Sequence, residues 1–332
     1  MAEGRIFSGM RPSGRLHLGN YFGALANWVK LQNQFDQCFF AVADVHALTT
    51  LQGKNQVAEI KPNTHEMVLD WLAAGMDPER SVLFIQSQVP EVLTLHALLS
   101  MSTPLGWLMR VPTFKEKVRQ MGEDEEHIPY GLVGYPVLQT ADVILYKADR
   151  VPVGIDQVPH VEIMREIARR FNRLYGETFP EPQALLTETP MIAGTDGEAK
   201  MSKSLDNQIE LAADDEETTK RVKRMVTDPQ RQRKADPGRP ETCNVYSLHK
   251  IFNPDKLDEI YQGCVTAGIG CVDDKQTLGD GINAYLSEFR ERRREFAAKP
   301  GYVNEILASG AARASAVARE TIREVYEKMG LA

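Results

Sequence analysis

Short apolar runs alternate with longer stretches of helical period through the first half of the chain. Arg5-Ile6-Phe7-Ser8, Cys38-Phe39-Phe40-Ala41-Val42-Ala43 and Ser81-Val82-Leu83-Phe84-Ile85 are brief, rich in β-branched and aromatic residues, and closed by polar, Gly or Pro positions. This is the pattern of strands buried on both faces of a parallel sheet. Between them Tyr21, Phe22, Leu25, Trp28 and Val29 recur at spacings of three and four, as do Val57, Ile60, Thr64, Met67, Val68 and Trp71. Strand and helix in alternation predict an α/β fold with a Rossmann-like, doubly wound parallel sheet. A further helix is expected from about Val158 to Tyr175, stopped at Gly176.

After Phe179 the pattern changes. Pro180-Glu181-Pro182 breaks the chain, and Gly194 to Ser204 reads as a mobile loop rich in Gly, Lys and Ser. Beyond it no strand-like run is found. Helices are expected over Asp214–Thr227, Tyr246–Phe252, Lys256–Tyr261, about Lys275–Ala298 and Tyr302–Met329. The expected organisation is therefore a Rossmann-like domain over 1–205, including the loop, and an all-helical C-terminal domain over 206–332.

Composition narrows the class. With 332 residues, 42% hydrophobic and 26% charged, the chain is long enough for about two self-sufficient cores. It has no apolar stretch fit to cross a bilayer, and its start lacks the basic and apolar regions of a secretory signal. A cytoplasmic location follows as the expectation, with no membrane partner. Four cysteines, Cys38, Cys243, Cys264 and Cys271, are too few for a disulfide framework. The charge balance of 39 basic against 46 acidic residues, net −7, argues against a protein that coats DNA or RNA nonspecifically, while leaving room for a local basic patch.

Two segments carry chemistry. Gly9-Met10-Arg11-Pro12-Ser13-Gly14-Arg15-Leu16-His17-Leu18-Gly19-Asn20 follows the first strand and opens a helix, the place where an α/β sheet binds nucleotides. Gly9 and Gly14 permit a tight turn and close approach of backbone to phosphate, and His17 and Asn20 share one face of the first turn. Read alone, the segment fits a phosphate site or a plain Gly/Pro-rich turn equally well. Lys200-Met201-Ser202-Lys203-Ser204 lies in the loop that Gly194 and Gly197 introduce. Its lysines suit the charge of a departing pyrophosphate, and in isolation they suit a solvated basic turn as well.

Together, His17-Leu18-Gly19-Asn20 and Lys200-Met201-Ser202-Lys203-Ser204 resemble the HIGH and KMSKS signatures of the class I aminoacyl-tRNA synthetases. The resemblance spans essentially the whole chain and is closest to the bacterial tryptophan branch. It is carried by Phe7–Gly14, Gly19–Leu25, Tyr135–Asp142 and Val151–Gln157. Two departures stand out: Arg11 replaces a common glutamine, and Ile155 a common acidic residue.

The resemblance implies activation of L-tryptophan by ATP with Mg²⁺, then transfer to tRNA(Trp), by a homodimer. Lys200, Ser202, Lys203, His17 and Asn20 would be catalytic. Gly9, Arg11, Ser13, Gly19, Lys117, Gly154, Asp156 and Met201 would join them in binding ATP. The tryptophan pocket would comprise Phe7, Tyr135, Gln139, Asp142 and Gln157, with Asp142 receiving the indole N–H and Tyr135 and Gln157 the α-amino group. From the residues alone, Asp142 reads first as a helix-capping or core carboxylate satisfied by its neighbours. A tyrosine-specific relative shares a Tyr-Pro-x-x-Gln run ending in aspartate; a nucleotidyltransferase without RNA, or a synthetase paralogue with a binding or regulatory role, are the other readings.

Lys220 to Arg239 holds eight basic residues (Lys220, Arg221, Lys223, Arg224, Arg231, Arg233, Lys234 and Arg239) against Asp228 and Asp236. It is a candidate contact for tRNA phosphates, or else a solvated helix face. Arg290-Glu291-Arg292-Arg293-Arg294-Glu295 is mixed in sign and reads as a solvated, ion-paired helix. Cys243, Cys264 and Cys271 resemble part of a four-cysteine iron–sulfur site found in some members, but Asp274 stands at the fourth position. Three thiolates and a carboxylate suit such a cluster poorly, and no metal is expected.

Overall fold

The computed structural model describes residues 2–121, 127–186, 192–198 and 200–332, with the side chains of Ala2, Glu3, Lys117, Gln120, Met121 and Ser204 outside the description. Strand β1 (Ala2–Met10) leads into α1 (Leu18–Asn20), a π-helical turn over Tyr21–Leu25, and α2 (Ala26–Leu31). Then come β2 (Phe35–Val42), α3 (Asp44–Ala47), α4 (Lys54–Ala58), α5 (Ile60–Ala74) and β3 (Ser81–Ile85). Helices α6 (Glu91–Ser100), α7 (Leu105–Leu108), α8 (Pro112–Met121) and α9 (Tyr130–Ile144) follow. Next are β4 (Arg150–Val153), α10 (Val158–Tyr175) and β5 (Gln183–Leu186). Five helices complete the chain: α11 (Asp215–Lys223), α12 (Asn244–Phe252), α13 (Leu257–Val265), α14 (Cys271–Ala297) and α15 (Tyr302–Met329).

The five strands form one parallel sheet in the order β3-β2-β1-β4-β5. The expected Rossmann-like fold is observed, and with it the switch point: chain order reverses between β1 and β4, so a crevice opens beyond their carboxyl ends. The three expected strands are present, with β1 and β2 longer at their N-terminal ends than the apolar runs suggest. Strands β4 and β5 are additions. Each has four residues, and β5, half-exposed at the sheet edge, falls where only a break and a loop are expected.

Two apolar layers cover the sheet. One centres on Trp28, Phe40 and Trp71, with Trp28 stacked on Phe40 and edge-on to Trp71, and it continues into α11, α12 and α14. The other centres on Tyr146, between Phe7 and Phe39, and takes in α9, α10 and the middle of α15. The last helix thus returns to the sheet. Its Gly310 lies so close to β3 that a Cβ there would stand 1.8 Å from the Leu83 carbonyl oxygen. Among the described residues, no helix is long and apolar enough to cross a membrane.

Two arginines of the mixed-charge run are not solvated. Arg290 bonds Asp215 at 2.5 Å and Thr218 at 2.8 Å, and Arg293 bonds Asp70 and Glu66, each at 2.6 Å. The expectation holds for Glu291, Arg294 and Glu295, which are exposed, and for Arg292, which pairs with Glu288 one helical turn before it. Arg290 and Arg293 bridge to α11 and α5 because α14 packs against both.

Candidate active site

The end of β1 supplies the first half of the crevice. Gly9 passes close beside β2, with 3.4 Å between a built Cβ and the Ala41 carbonyl oxygen. Gly14 adopts φ +124°, a backbone region that favours glycine, and a Cβ there would meet Lys203 Nζ at 2.2 Å. His17 caps α1 from a buried position, and its backbone N–H donates to Asn20 Oδ1 at 3.1 Å. The ring Nδ1 of His17 is buried and meets no hydrogen-bond partner among the described residues.

The signature loop is fixed to this turn by short antiparallel pairing. Leu18 N donates to the Ile209 carbonyl at 3.0 Å, and Leu211 N to the Leu16 carbonyl at 2.9 Å. His17 therefore faces Glu210. Just upstream, Asn207 is 2% exposed; it accepts from Ser202 N at 2.7 Å and donates to Asp196 at 2.7 Å. Asn207 thereby shapes the loop that displays Lys200 and Lys203. Met201 is buried against Gly19, whose built Cβ would lie 3.2 Å from Met201 Cβ. Lys200 is exposed, whereas Lys203 is half-buried.

Electrostatics here point to an anion. Burial, followed by the charges of Lys203 and Lys200, holds the His17 imidazole down to about 4, so it is neutral at physiological pH. The Lys203 ammonium is also lowered, first by burial. Two cations and an unpartnered ring nitrogen converge on one turn at the switch point, as phosphate binding requires.

The second half of the crevice is built from α9. Tyr135, Gln139 and Asp142 are spaced by four and three, so they share one face of the helix. Asp142, 4% exposed, accepts from Gln86 Nε2 at 2.8 and 2.9 Å and lies 3.0 Å from His46 Nε2. Tyr135 Oη is 2.6 Å from Thr113 Oγ1 and 3.0 Å from His160 Nε2. Gln139 is half-buried. Phe7 lies behind this face, stacked on Tyr146 at 5.7 Å.

The remaining expected residues lie around the rim. After β4, the Gln157 amide donates to the exposed Asp156 carboxylate at 2.8 Å, beside Gly154. Arg11 is exposed and donates to Thr50 Oγ1 at 3.2 Å, and Ser13 is exposed. The Lys117 side chain lies outside the described residues.

His46 and Gln86 are the residues that sequence reasoning missed. Each stands just past the carboxyl end of a parallel strand, β2 and β3, the edge where ligands bind in such sheets. That position was the available signal. His96, in the middle of α6, is held below the usual histidine range by burial and by His46.

Away from the crevice, Arg221 is tied to Asp206, Arg239 to Asp228, and Arg231 to the backbone at Lys234 and Ile269. Lys220, Lys223, Arg224, Arg233 and Lys234 remain exposed. Cys243 is buried and Cys264 and Cys271 are partly exposed, all as free thiols. Among the described residues, no group of three His, Cys, Asp or Glu is placed to hold a metal ion.

The parallel sheet with its switch-point crevice, the segment Lys200–Ser204 beside the first turn, and the helical region that follows are those of a class I synthetase fold. The chain belongs to the family described as tRNA synthetases class I (W and Y), which matches residues 2–287. Within it, a tryptophan–tRNA ligase of Thermotoga maritima is 46% identical, over 98% of this chain and 99% of that protein. The tryptophan–tRNA ligase of Aquifex aeolicus is 42% identical, over 98% of this chain and all of its own length. Among solved structures, the tryptophanyl-tRNA synthetase of Campylobacter jejuni complexed with ADP and tryptophan superposes with a TM-score of 0.87 at 38% identity, covering 98% of this chain and 100% of that one.

Proposed function

We propose that the protein activates L-tryptophan with ATP and transfers it to the 3′ end of tRNA(Trp). The observation that carries this reading is the pairing of residues 16–18 with 209–211, which brings His17 and Lys203 to one turn at the switch point and supports an anion site there. The Thermotoga and Aquifex relatives and the ligands named for the Campylobacter structure support tryptophan as the amino acid.

A tryptophan carboxylate oxygen attacks the α-phosphorus of ATP in line; the bond to the β-phosphate oxygen breaks, and pyrophosphate leaves. Positioning and charge neutralisation carry such a step, so no general base is needed. Mg²⁺ enters with ATP as part of the substrate. Lys200, Ser202 and Lys203 stabilise the departing pyrophosphate, while His17 and Asn20 hold the nucleotide. Gly9 and Gly19 make room for adenine, Gly154 and Asp156 receive the ribose, and Arg11, Ser13, Met201 and Lys117 complete the ATP contacts. Asp142 accepts the indole N–H, with Phe7 and Gln139 lining the slot, and Tyr135 and Gln157 hold the α-amino group. A hydroxyl of the terminal adenosine of tRNA then attacks the tryptophanyl carbonyl and releases AMP.

Residues 1–205 form the catalytic half in this reading, and 206–332 carry the helices that meet the anticodon end. Exposed Lys220, Lys223, Arg224, Arg233 and Lys234 supply phosphate contacts there. Leu93, Met101, Leu105, Met109 and Tyr130 are exposed on and around α6, α7 and α9. This apolar face supports a homodimer. The protein works in the cytoplasm, with its substrates.

Amino-acid-dependent ATP–pyrophosphate exchange, run with tryptophan and tyrosine in parallel and followed by tRNA charging, tests the proposal. Exchange with tryptophan alone is expected. Exchange with tyrosine alone would assign the Asp142 slot to a phenol, and exchange with neither would overturn the reading.

A further inference from the structure

Near the end of α14, Arg293 turns toward α5 with its side chain only 16% exposed. Its Nε donates to Asp70 Oδ1 and its Nη2 to Glu66 Oε2, each at 2.6 Å. Asp70 is fully buried, and its other oxygen, Oδ2, receives the backbone N–H of Leu16 at 3.2 Å. Leu16 immediately precedes His17 and accepts from Leu211 N on its other side. Arg15 extends the connection, lying 3.6 Å from Glu66 and 3.7 Å from Glu210.

One buried carboxylate therefore holds a side chain from the helical region and the backbone of the nucleotide loop at the same time. An ordinary ion pair between helices would fix α14 to α5 and stop there. The Leu16 bond makes this one different, because any shift of α14 must either break a 2.6 Å charged bond or carry Asp70 against the residue beside His17. Breaking such a buried pair on one side leaves an uncompensated charge and is costly.

We propose that Asp70 is a positioning residue for the ATP side of the site, transmitting the position of Arg293 on α14 to the Leu16–His17 backbone. It touches neither substrate. Its reaction context rests on the synthetase reading above. The effect falls on ATP in preference to tryptophan, since Asp142 and its partners are anchored on α9, α3 and the end of β3.

The test combines calorimetric titration with Mg·ATP, pyrophosphate-exchange kinetics and thermal melts on four variants. Arg293→Met keeps the aliphatic stem and removes only the α14 side of the junction; Arg293→Lys keeps the charge without the fork; Asp70→Asn and the double variant Asp70→Asn/Arg293→Met complete a cycle. Coupling between sites of this kind is typically worth about 5- to 150-fold in affinity. Arg293→Met should weaken ATP by roughly 5- to 20-fold, at the low end of that range, with the tryptophan KM within about two-fold of wild type. Arg293→Lys should recover part of the loss, and the double variant should be no worse than the weaker single. Folded Arg293 variants with a lowered Tm and unchanged ATP affinity would make the pair a clasp between helices and overturn the proposal. So would equal losses for ATP and tryptophan. Should Asp70→Asn fail to fold, the two Arg293 variants decide alone. A wild-type protein with no tryptophan-dependent exchange would overturn the functional reading, while its ATP titration still decides the role of Asp70.

Discussion

Replacing Asp142 with asparagine probes the slot with almost no change of shape. The wild-type carboxylate has two acceptor oxygens; Gln86 Nε2 donates to both, His46 stands 3.0 Å from Oδ2, and acceptor capacity remains for an indole N–H. Asparagine keeps one acceptor oxygen and, because Gln86 Nε2 donates to both carboxylate oxygens, sets its NH₂ group against Gln86, donor to donor. A hydrogen bond to a charged group contributes about 1.5–3 kcal/mol, and each 1.36 kcal/mol is a factor of ten in rate. The expected loss in kcat/KM for tryptophan is therefore roughly 10- to 150-fold. ATP kinetics at saturating tryptophan should move by less than about two-fold, because Asp142 takes no part in the nucleotide turn. The assay is pyrophosphate exchange over a grid of both substrates, with a melt to verify folding. A folded Asp142→Asn protein whose kcat/KM for tryptophan stays within about three-fold of wild type would refute the argument that this carboxylate reads the indole.

Three further outcomes follow from the geometry. Gly14→Ala puts a Cβ at φ +124° and 2.2 Å from Lys203 Nζ; backbone strain of about 1–3 kcal/mol and a displaced ammonium should raise the ATP KM several-fold in exchange kinetics while sparing that for tryptophan. His17, lowered from 6.5 to about 4, stays neutral in the folded state while the unfolded chain takes up the proton; its contribution is full above pH 6.5 and is lost as pH falls toward 4. That loss is about 3 kcal/mol, so the urea midpoint of wild type should fall relative to that of His17→Asn over this window; parallel curves would contradict it. Gly310→Ala drives a Cβ to 1.8 Å from the Leu83 carbonyl; overpacking of this kind costs about 1–3 kcal/mol, and the melting temperature should fall by several degrees.

What the sequence revealed was whatever short-range spacing encodes. The strands β1, β2 and β3 announce themselves as apolar runs, and the two signature segments are contiguous. Tyr135, Gln139 and Asp142 fall on one helical face by counting alone. Strands β4 and β5 lacked any such mark: four residues form no period, and Pro152 sits inside β4. Arg293 looked like one more charge on a solvated helix because its partner Asp70 lies 223 positions away. His46 and Gln86 are single polar residues whose meaning depends on strand order, which places the ends of β2 and β3 beside the α9 face.

The nucleotide side of the site is assembled at an electrostatic cost that explains why two distant signatures must cooperate. His17 loses proton affinity chiefly through burial, with the charges of Lys203 and Lys200 adding to it, and Lys203 loses part of its own through burial. Asp70 and Glu210 oppose this for Lys203, yet Asp70 is already engaged by Arg293 and Leu16. A polyanion at this turn would supply the half-buried Lys203 with counter-charge beyond that of Asp70 and Glu210, and so favour the arrangement in which residues 16–18 and 209–211 are paired. By linkage, a nucleotide that prefers this arrangement would order the loop on binding by the same free energy with which an ordered loop tightens nucleotide binding. Asn207 belongs to that equilibrium although it touches no expected ligand: its side chain, bonded to Ser202 and Asp196, selects the loop shape in which Lys203 already reaches the Gly14 turn. Loosening it should weaken ATP binding through the population of the closed loop rather than through any lost contact.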